Sequence, residues 1–112
     1  MDDKQFMYDK DLDRLMISKK KSEDKIYGSV RILNTILDFT TDNKIVNVEI
    51  RRVSEYLKEL GLNPDILDKL KEVELLSKQY RDGYMIYFLL KTDNGIVEKI
   101  PFNVPMEQTI IS

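Results

Sequence analysis

Cysteine and histidine are absent from the 112-residue chain. Without cysteine there is no disulfide framework, no thiol nucleophile and no thiolate metal site. Without histidine the commonest general base and the commonest imidazole ligand are missing as well. Ser-His-Asp and Cys-His constellations are therefore impossible, and any chemistry rests on Asp, Glu, Lys, Tyr, Ser or Thr. Long apolar runs are lacking too. The longest, Tyr84 to Leu90, is far short of the ~20 residues a membrane-spanning helix needs. The opening MDDKQ is acidic and polar, unlike a signal peptide, so a cytoplasmic location and no membrane contact are expected. Neither sign of charge dominates: a net charge of −2 and a pI of about 5.2 exert no general pull on nucleic acid or an anionic membrane. Glycine (4) and proline (3) are scarce, and 42% hydrophobic against 34% charged residues excludes a disordered or fibrous chain. A chain of this length fits one domain, residues 1–112, or two small interlocked lobes, and is long enough for one real core.

The most informative stretch is Thr35 to Ile50, TILDFTTDNKIVNVEI, which predicts a β-hairpin. Asp42-Asn43 supplies two residues tolerant of positive φ, as a two-residue hairpin loop requires. With that loop Phe39 faces Val46, Leu37 faces Val48 and Thr35 faces Ile50 across an apolar face. Thr40 with Ile45, Asp38 with Asn47 and Ile36 with Glu49 form the other face. A slip of one residue would bury Asp38 and Glu49, so the pattern sets the register.

Before the hairpin, Gln5–Tyr8 and Leu12–Ser18 read as strands around a turn at Asp9-Lys10-Asp11. Asp9, Asp11 and Asp13 open like a calcium loop, but its glycine position holds Arg14 and its terminal glutamate position holds Lys20. The turn reading, with Asp9 and Asp11 bonding the backbone, fits better. Lys19 to Asp24 has no hydrophobic period and reads as a solvated loop. Lys25–Leu33 alternates as a third strand, with Gly28 suggesting a bulge. The first half, residues 1–52, is thus expected to be a five-strand antiparallel meander.

The period then lengthens. Val53, Tyr56, Leu57 and Leu60 make one helical stripe, with Gly61 as its C-terminal stop. Asn63-Pro64 starts a second short helix, carrying Ile66, Leu67 and Leu70. Residues 53–71 are therefore a helical connector. Asp82-Gly83 and Asn94-Gly95, taken as two-residue loops, predict a second meander over 72–104. That register puts Leu76, Leu89 and Ile100 on one face, with Glu74, Lys91 and Glu98 aligned across the strands. Pro101, opposite Phe88 in that register, makes the last strand an edge. The central strand, apolar on both faces, should be covered by the helices on one side and by the first meander or another subunit on the other. Residues 105–112 form a tail. The fold class is α+β.

Tyr8-Asp9 with Asp13, Leu15 and Ile17, then Ile36-Leu37-Asp38-Phe39, Lys44-Ile45-Val46, Glu49-Ile50 and Ser54, resemble the DUF2283 family of small prokaryotic proteins. The likeness covers about Phe6 to Leu60. Thr40 stands where the family often has a second Asp, and Asn43 and Asn47 where it often has Gly. The resemblance implies a β-meander with a following helix, and it implies no activity.

Asp9, Asp13, Asp38 and Glu49 are the candidate functional surface. A carboxylate enzyme would use Asp38 and Glu49 as an acid–base pair or as Mg²⁺ ligands. Weak nucleic-acid binding would draw on Arg51, Arg52, Lys58 and Lys19–Lys21, diluted by intervening acids. The expectation that best fits the composition is a non-catalytic interaction or assembly module with no cofactor. It would be a homodimer, or the partner of another protein, hiding Tyr84, Tyr87, Phe88 and Phe102.

Overall fold

Alternation of apolar and polar residues builds two sheets in the computed structural model, which describes residues 5–42 and 44–105. The elements are β1 (Phe6–Asp9), β2 (Arg14–Ser18), β3 (Ile26–Ile32), β4 (Thr35–Thr40) and β5 (Ile45–Arg51). Helix α1 (Val53–Glu59) and a 3-10 helix (Pro64–Lys69) follow, then β6 (Leu70–Tyr80), β7 (Gly83–Thr92) and β8 (Val97–Pro105). The α+β class holds. The roles expected of Asn43 and of the segment from residue 106 onward lie outside the described residues.

The N-terminal sheet has five antiparallel strands in the order β1-β2-β5-β4-β3. This corrects the expected run of sequential neighbours: β3-β4-β5 is a meander, and the β1–β2 hairpin docks on the free side of β5. The connection from β2 to β3 must cross three strand spacings, about 14 Å. A tight turn cannot reach that far, which is why residues 19–25 lack a hydrophobic period. The crossing segment is pinned rather than merely solvated. Lys19 Nζ donates to the Leu75 carbonyl at 2.8 Å, and Asp24 is buried, accepting from the Lys21 amide at 2.9 Å. Gly28 marks a register shift in β3, as its position suggested.

Leu15, Ile17, Leu37, Phe39, Val48 and Ile50 point inward from this sheet and join one apolar cluster with Val73, Leu75, Ile86, Phe88, Leu90 and Ile100 of the other. Phe39 and Tyr84 meet across the layers with ring centroids 5.4 Å apart, tilted by 57°. Val53, Leu57, Ile66 and Leu67 from the helical segment enter the same cluster. The N-terminal sheet and the helices therefore cover one face of β7 together, not opposite faces. Tyr84 and Phe88 are buried there and Phe102 packs against the cluster, leaving Tyr87 alone of the four aromatics to face outward. Leu60 also leaves its expected stripe, at 44% exposure. Gly61 stops α1 at φ +80°, with its own amide bonded to the Lys58 carbonyl and the Leu62 amide to that of Leu57. That is the paired closure a left-handed residue just past a helix provides.

The corners explain the registers. Thr35–Ile50, Ile36–Glu49, Leu37–Val48 and Asp38–Asn47 pair as expected, and Leu37 is wholly buried. Nearer the tip Phe39 pairs with Ile45, not Val46, across a bulge. The Thr40 amide bonds the Lys44 carbonyl at 2.9 Å, a closure one residue wider than the two-residue turn assumes. Thr92 repeats the pattern, bonding the Ile96 carbonyl at 2.9 Å around Asp93, Asn94 and Gly95, with Gly95 at φ +88°. A three-residue loop closed by a left-handed glycine is a standard alternative to the two-residue turn.

In the C-terminal sheet, ordered β6-β7-β8, these differences have unequal effects. Tyr80 pairs with Gly83, shifting β6 against β7 by two residues, so Leu76 meets Tyr87 rather than Leu89 but keeps its face. The Thr92 loop shifts β7 against β8 by one residue, and a one-residue shift exchanges faces. Leu89 pairs with Lys99 and Ile100 with Phe88, placing Leu89 and Ile100 on opposite faces, contrary to expectation. Glu98 likewise pairs with Leu90, so Lys91 is held by Glu74 and by Glu72 instead of by Glu74 and Glu98. Strand β8 is an edge, as Pro101 predicts, though Pro101 faces Tyr87.

Candidate functional site

The four candidate carboxylates fall into two groups. Asp38 and Glu49 lie on the outward face of the N-terminal sheet, in an open cleft of about 380 Å³ also lined by Met7, Met16 and Ile36. Register places Ser18, Asn47, Asp38 and Ser29 in one row across four strands. Their side chains form a hydrogen-bonded chain. Ser29 Oγ donates to Asp38 Oδ1 at 2.6 Å, Asn47 Nδ2 donates to Asp38 Oδ2 at 3.0 Å, and Ser18 Oγ donates to Asn47 Oδ1 at 2.7 Å. Glu49, in the next row, receives Arg51 Nε at 2.9 Å and has Arg14 Nη1 at 3.8 Å, both at Oε2. Each carboxylate is thus engaged by its own neighbours. An acid–base pair needs one carboxyl set apart in apolar surroundings, and neither Asp38 nor Glu49 is placed that way.

Asp9 and Asp13 sit at the β1–β2 corner and act on the backbone. Asp9 Oδ1 accepts from the Leu12 amide at 3.2 Å, the turn bond its position suggested. Asp13, at φ +53°, reaches the start of α1. Its carbonyl accepts the Val53 amide at 3.2 Å, Oδ1 the Ser54 amide at 3.1 Å, and Oδ2 the Ser54 hydroxyl at 2.7 Å. Tyr8 donates its hydroxyl to Asp13 Oδ1 at 3.0 Å. Burial pushes the Tyr8 phenol up to about 12, helped by its hydrogen bond to Asp13 and by the charges of Asp13, Asp68 and Asp9. A group of that kind stays protonated and holds structure. Among the described residues no group of three or more acidic side chains is arranged to hold a metal ion.

Sequence reasoning weighed Asp13 as a calcium ligand and missed its capping role. A signal was present: Arg52, at the N-cap position of α1, makes no side-chain cap bond. A helix that begins on a residue poorly suited to capping needs its acceptor from elsewhere.

The outward face of the C-terminal sheet is built differently. Leu76 pairs with Tyr87, and Tyr87 with Pro101, so an apolar row crosses all three strands. On one side lies the row Glu74–Leu89–Lys99, and on the other Lys78 beside Met85. Leu76 is 42% exposed, Tyr80 47% and Val97 55%. Lys99 Nζ stands 4.3 Å from the centre of the Tyr87 ring. Such lysine–aromatic contacts shield apolar surface from water without removing it.

Comparison of the chain with family models, curated proteins and solved structures finds no match. Among the described residues no helix is long and apolar enough to cross a membrane.

Proposed function

We propose that the chain is a non-catalytic cytoplasmic assembly module that forms homodimers through the outward face of its C-terminal sheet. The carrying observation is the row Leu76–Tyr87–Pro101, an apolar band spanning β6, β7 and β8 with no element of the described chain packed on it. Among the described residues, the other apolar faces of the two sheets lie in the shared core or are broken by the polar row through Asp38. Symmetric pairing is the commonest way for a small domain to cover such a band. The carboxylate cleft is secondary in this reading, because its acids are already bound by Ser29, Asn47, Arg51 and Arg14.

The likeness of residues 6–60 to the DUF2283 family belongs to the same proposal. Tyr8, Asp13 and Ser54, three residues on which the resemblance rests, meet in one hydrogen-bonded group. Their recurrence in a family would then reflect a shared scaffold, not a shared reaction. Sedimentation over a concentration series tests the assembly reading. A reversible monomer–dimer equilibrium is expected, shifted to monomer by Leu76→Asp with the fold intact. A wild-type chain that stays monomeric into the high micromolar range overturns it.

A further inference from the structure

The outward face carries its charges in a pattern that selects one way of pairing two copies. Along β6 the outward residues run Glu74, Leu76, Lys78, with Leu76 between an acid and a base. Rows on this face are two residues apart, about 6.8 Å along the strand. Resting on the assembly reading, we infer that the second copy docks across a two-fold axis lying over the Leu76–Tyr87–Pro101 row, perpendicular to the strands. That operation sets each strand antiparallel over its own copy. Leu76 then meets Leu76, Tyr87 meets Tyr87, Leu89 meets Met85, and Glu74 of each copy meets Lys78 of the other. The interface is isologous, with two identical ion pairs flanking an apolar centre.

The competing two-fold axis runs parallel to the strands along β7. It would set Glu74 against Lys99, which is also favourable, but it stacks Lys91 directly on Lys91. Lys91 already gathers Glu72 and Glu74 on its own sheet, and a second ammonium over it adds like-charge repulsion with no new acid to offset it. The perpendicular axis instead carries Lys91 over the row of Tyr80 and Gly83, which contains no lysine or arginine of its own, so Lys91 is not set on its own copy. Charge thus decides between two arrangements that the apolar row alone would permit.

The test is charge exchange read by sedimentation. Lys78→Glu and Glu74→Lys, each alone, place like charges together and should weaken dimerisation at least tenfold. The double variant K78E/E74K should return to within about threefold of wild type, since the pair is re-formed with reversed sign. Failure of that rescue while wild type still dimerises overturns the axis and leaves the assembly reading standing. Rescue of E74K by Lys99→Glu in its place assigns the parallel axis and overturns the inference equally. A second probe is independent of charge. The chain has no cysteine, so Leu76→Cys gives one thiol per copy, on the axis, and a short bis-maleimide should join two copies in high yield. Lys78→Cys thiols lie on opposite sides of the axis and should not be joined. The reverse pattern contradicts the proposed geometry.

Discussion

Ser54 begins helix α1 by giving both its amide and its hydroxyl to one carboxylate, that of Asp13, at 3.1 and 2.7 Å and 41 residues away in sequence. Tyr8 gives its hydroxyl to the same group at 3.0 Å. A β-corner, a strand and a helix are tied by one side chain. Loss of a helix cap costs about 1 kcal/mol and loss of each further bond to a charged acceptor somewhat more. Asp13→Ala should therefore destabilise the fold by about 2–4 kcal/mol, including the strain of an alanine at positive φ. Asp13→Gly removes the cap without that strain and should cost about 1 kcal/mol less. Urea unfolding of the two variants checks the order; equal stabilities would separate the cap from the corner.

Tyr8 makes this tie sensitive to alkali. Its folded pKa, about 12, lies above the ordinary tyrosine value, so the protonated phenol is favoured by folding. The stabilisation is fully present below pH ~10, the unfolded value, and is lost as pH rises toward 12. Tyr8→Phe removes the titration. The wild type should be the more stable protein at pH 8, and its advantage should shrink between pH 10 and 12, seen as converging melting temperatures. Parallel curves through that range would show that the phenol is not held as the distances imply.

Asp24 works in the opposite direction. The Lys21 backbone amide holds its carboxyl below the usual range, and the charges of Lys44, Lys20 and Lys21 add to this against the opposing effect of burial. A lowered folded pKa means stability that is present above the ordinary carboxylate value of about 3.9 and lost as pH falls through the folded one. Asp24→Asn should weaken the protein at pH 7, by loosening the crossing segment from β2 to β3. The two proteins should converge in acid. Melting curves at pH 7, 4 and 2.5 make the comparison, and a gap that persists unchanged at the lowest pH would contradict it.

Much of this architecture was legible because period and punctuation agree locally. The stretch Thr35–Ile50 declared its buried face, and Leu37 is indeed sealed. Gly61, Asn63-Pro64 and Gly28 each mark a backbone feature that only a few residue types allow, and each appears in its place, while Pro101 marks the edge strand correctly but sits opposite Tyr87 instead of Phe88. Two things were not legible. Strand order depends on contacts between distant segments, and nothing in residues 10–18 announces that β2 pairs with β5. Loop length at Asn94-Gly95 turns on whether Thr92 closes the loop with its own hydroxyl, and the resulting shift of one residue exchanged the faces of Leu89 and Ile100. The candidate site suffered most, since Asp13 reads in sequence only as one acid of a broken calcium-loop pattern and is a cap in space.

Thr92 offers the sharpest check on that loop. Thr92 is 4% exposed, and its hydroxyl accepts the Ile96 amide at 3.0 Å while donating to Asn94 Oδ1. Thr40 does the same for the amides of Asp42 and Lys44 at the corner that follows β4, at 3.2 Å each. Thr92→Val preserves volume and β-branching but strands the Ile96 amide beside a methyl group, so a loss of about 1–3 kcal/mol is expected. Thr92→Ser keeps the hydroxyl and forfeits one methyl, about 0.8 kcal/mol. Serine should therefore be the milder change, although valine is the better strand former. If valine proved harmless, the loop would be closed by the backbone alone, and the two-residue register with Leu89 and Ile100 on one face would return to contention. Amide exchange at Ile96 distinguishes the cases directly: fast in Thr92→Val and slow in Thr92→Ser and the wild type.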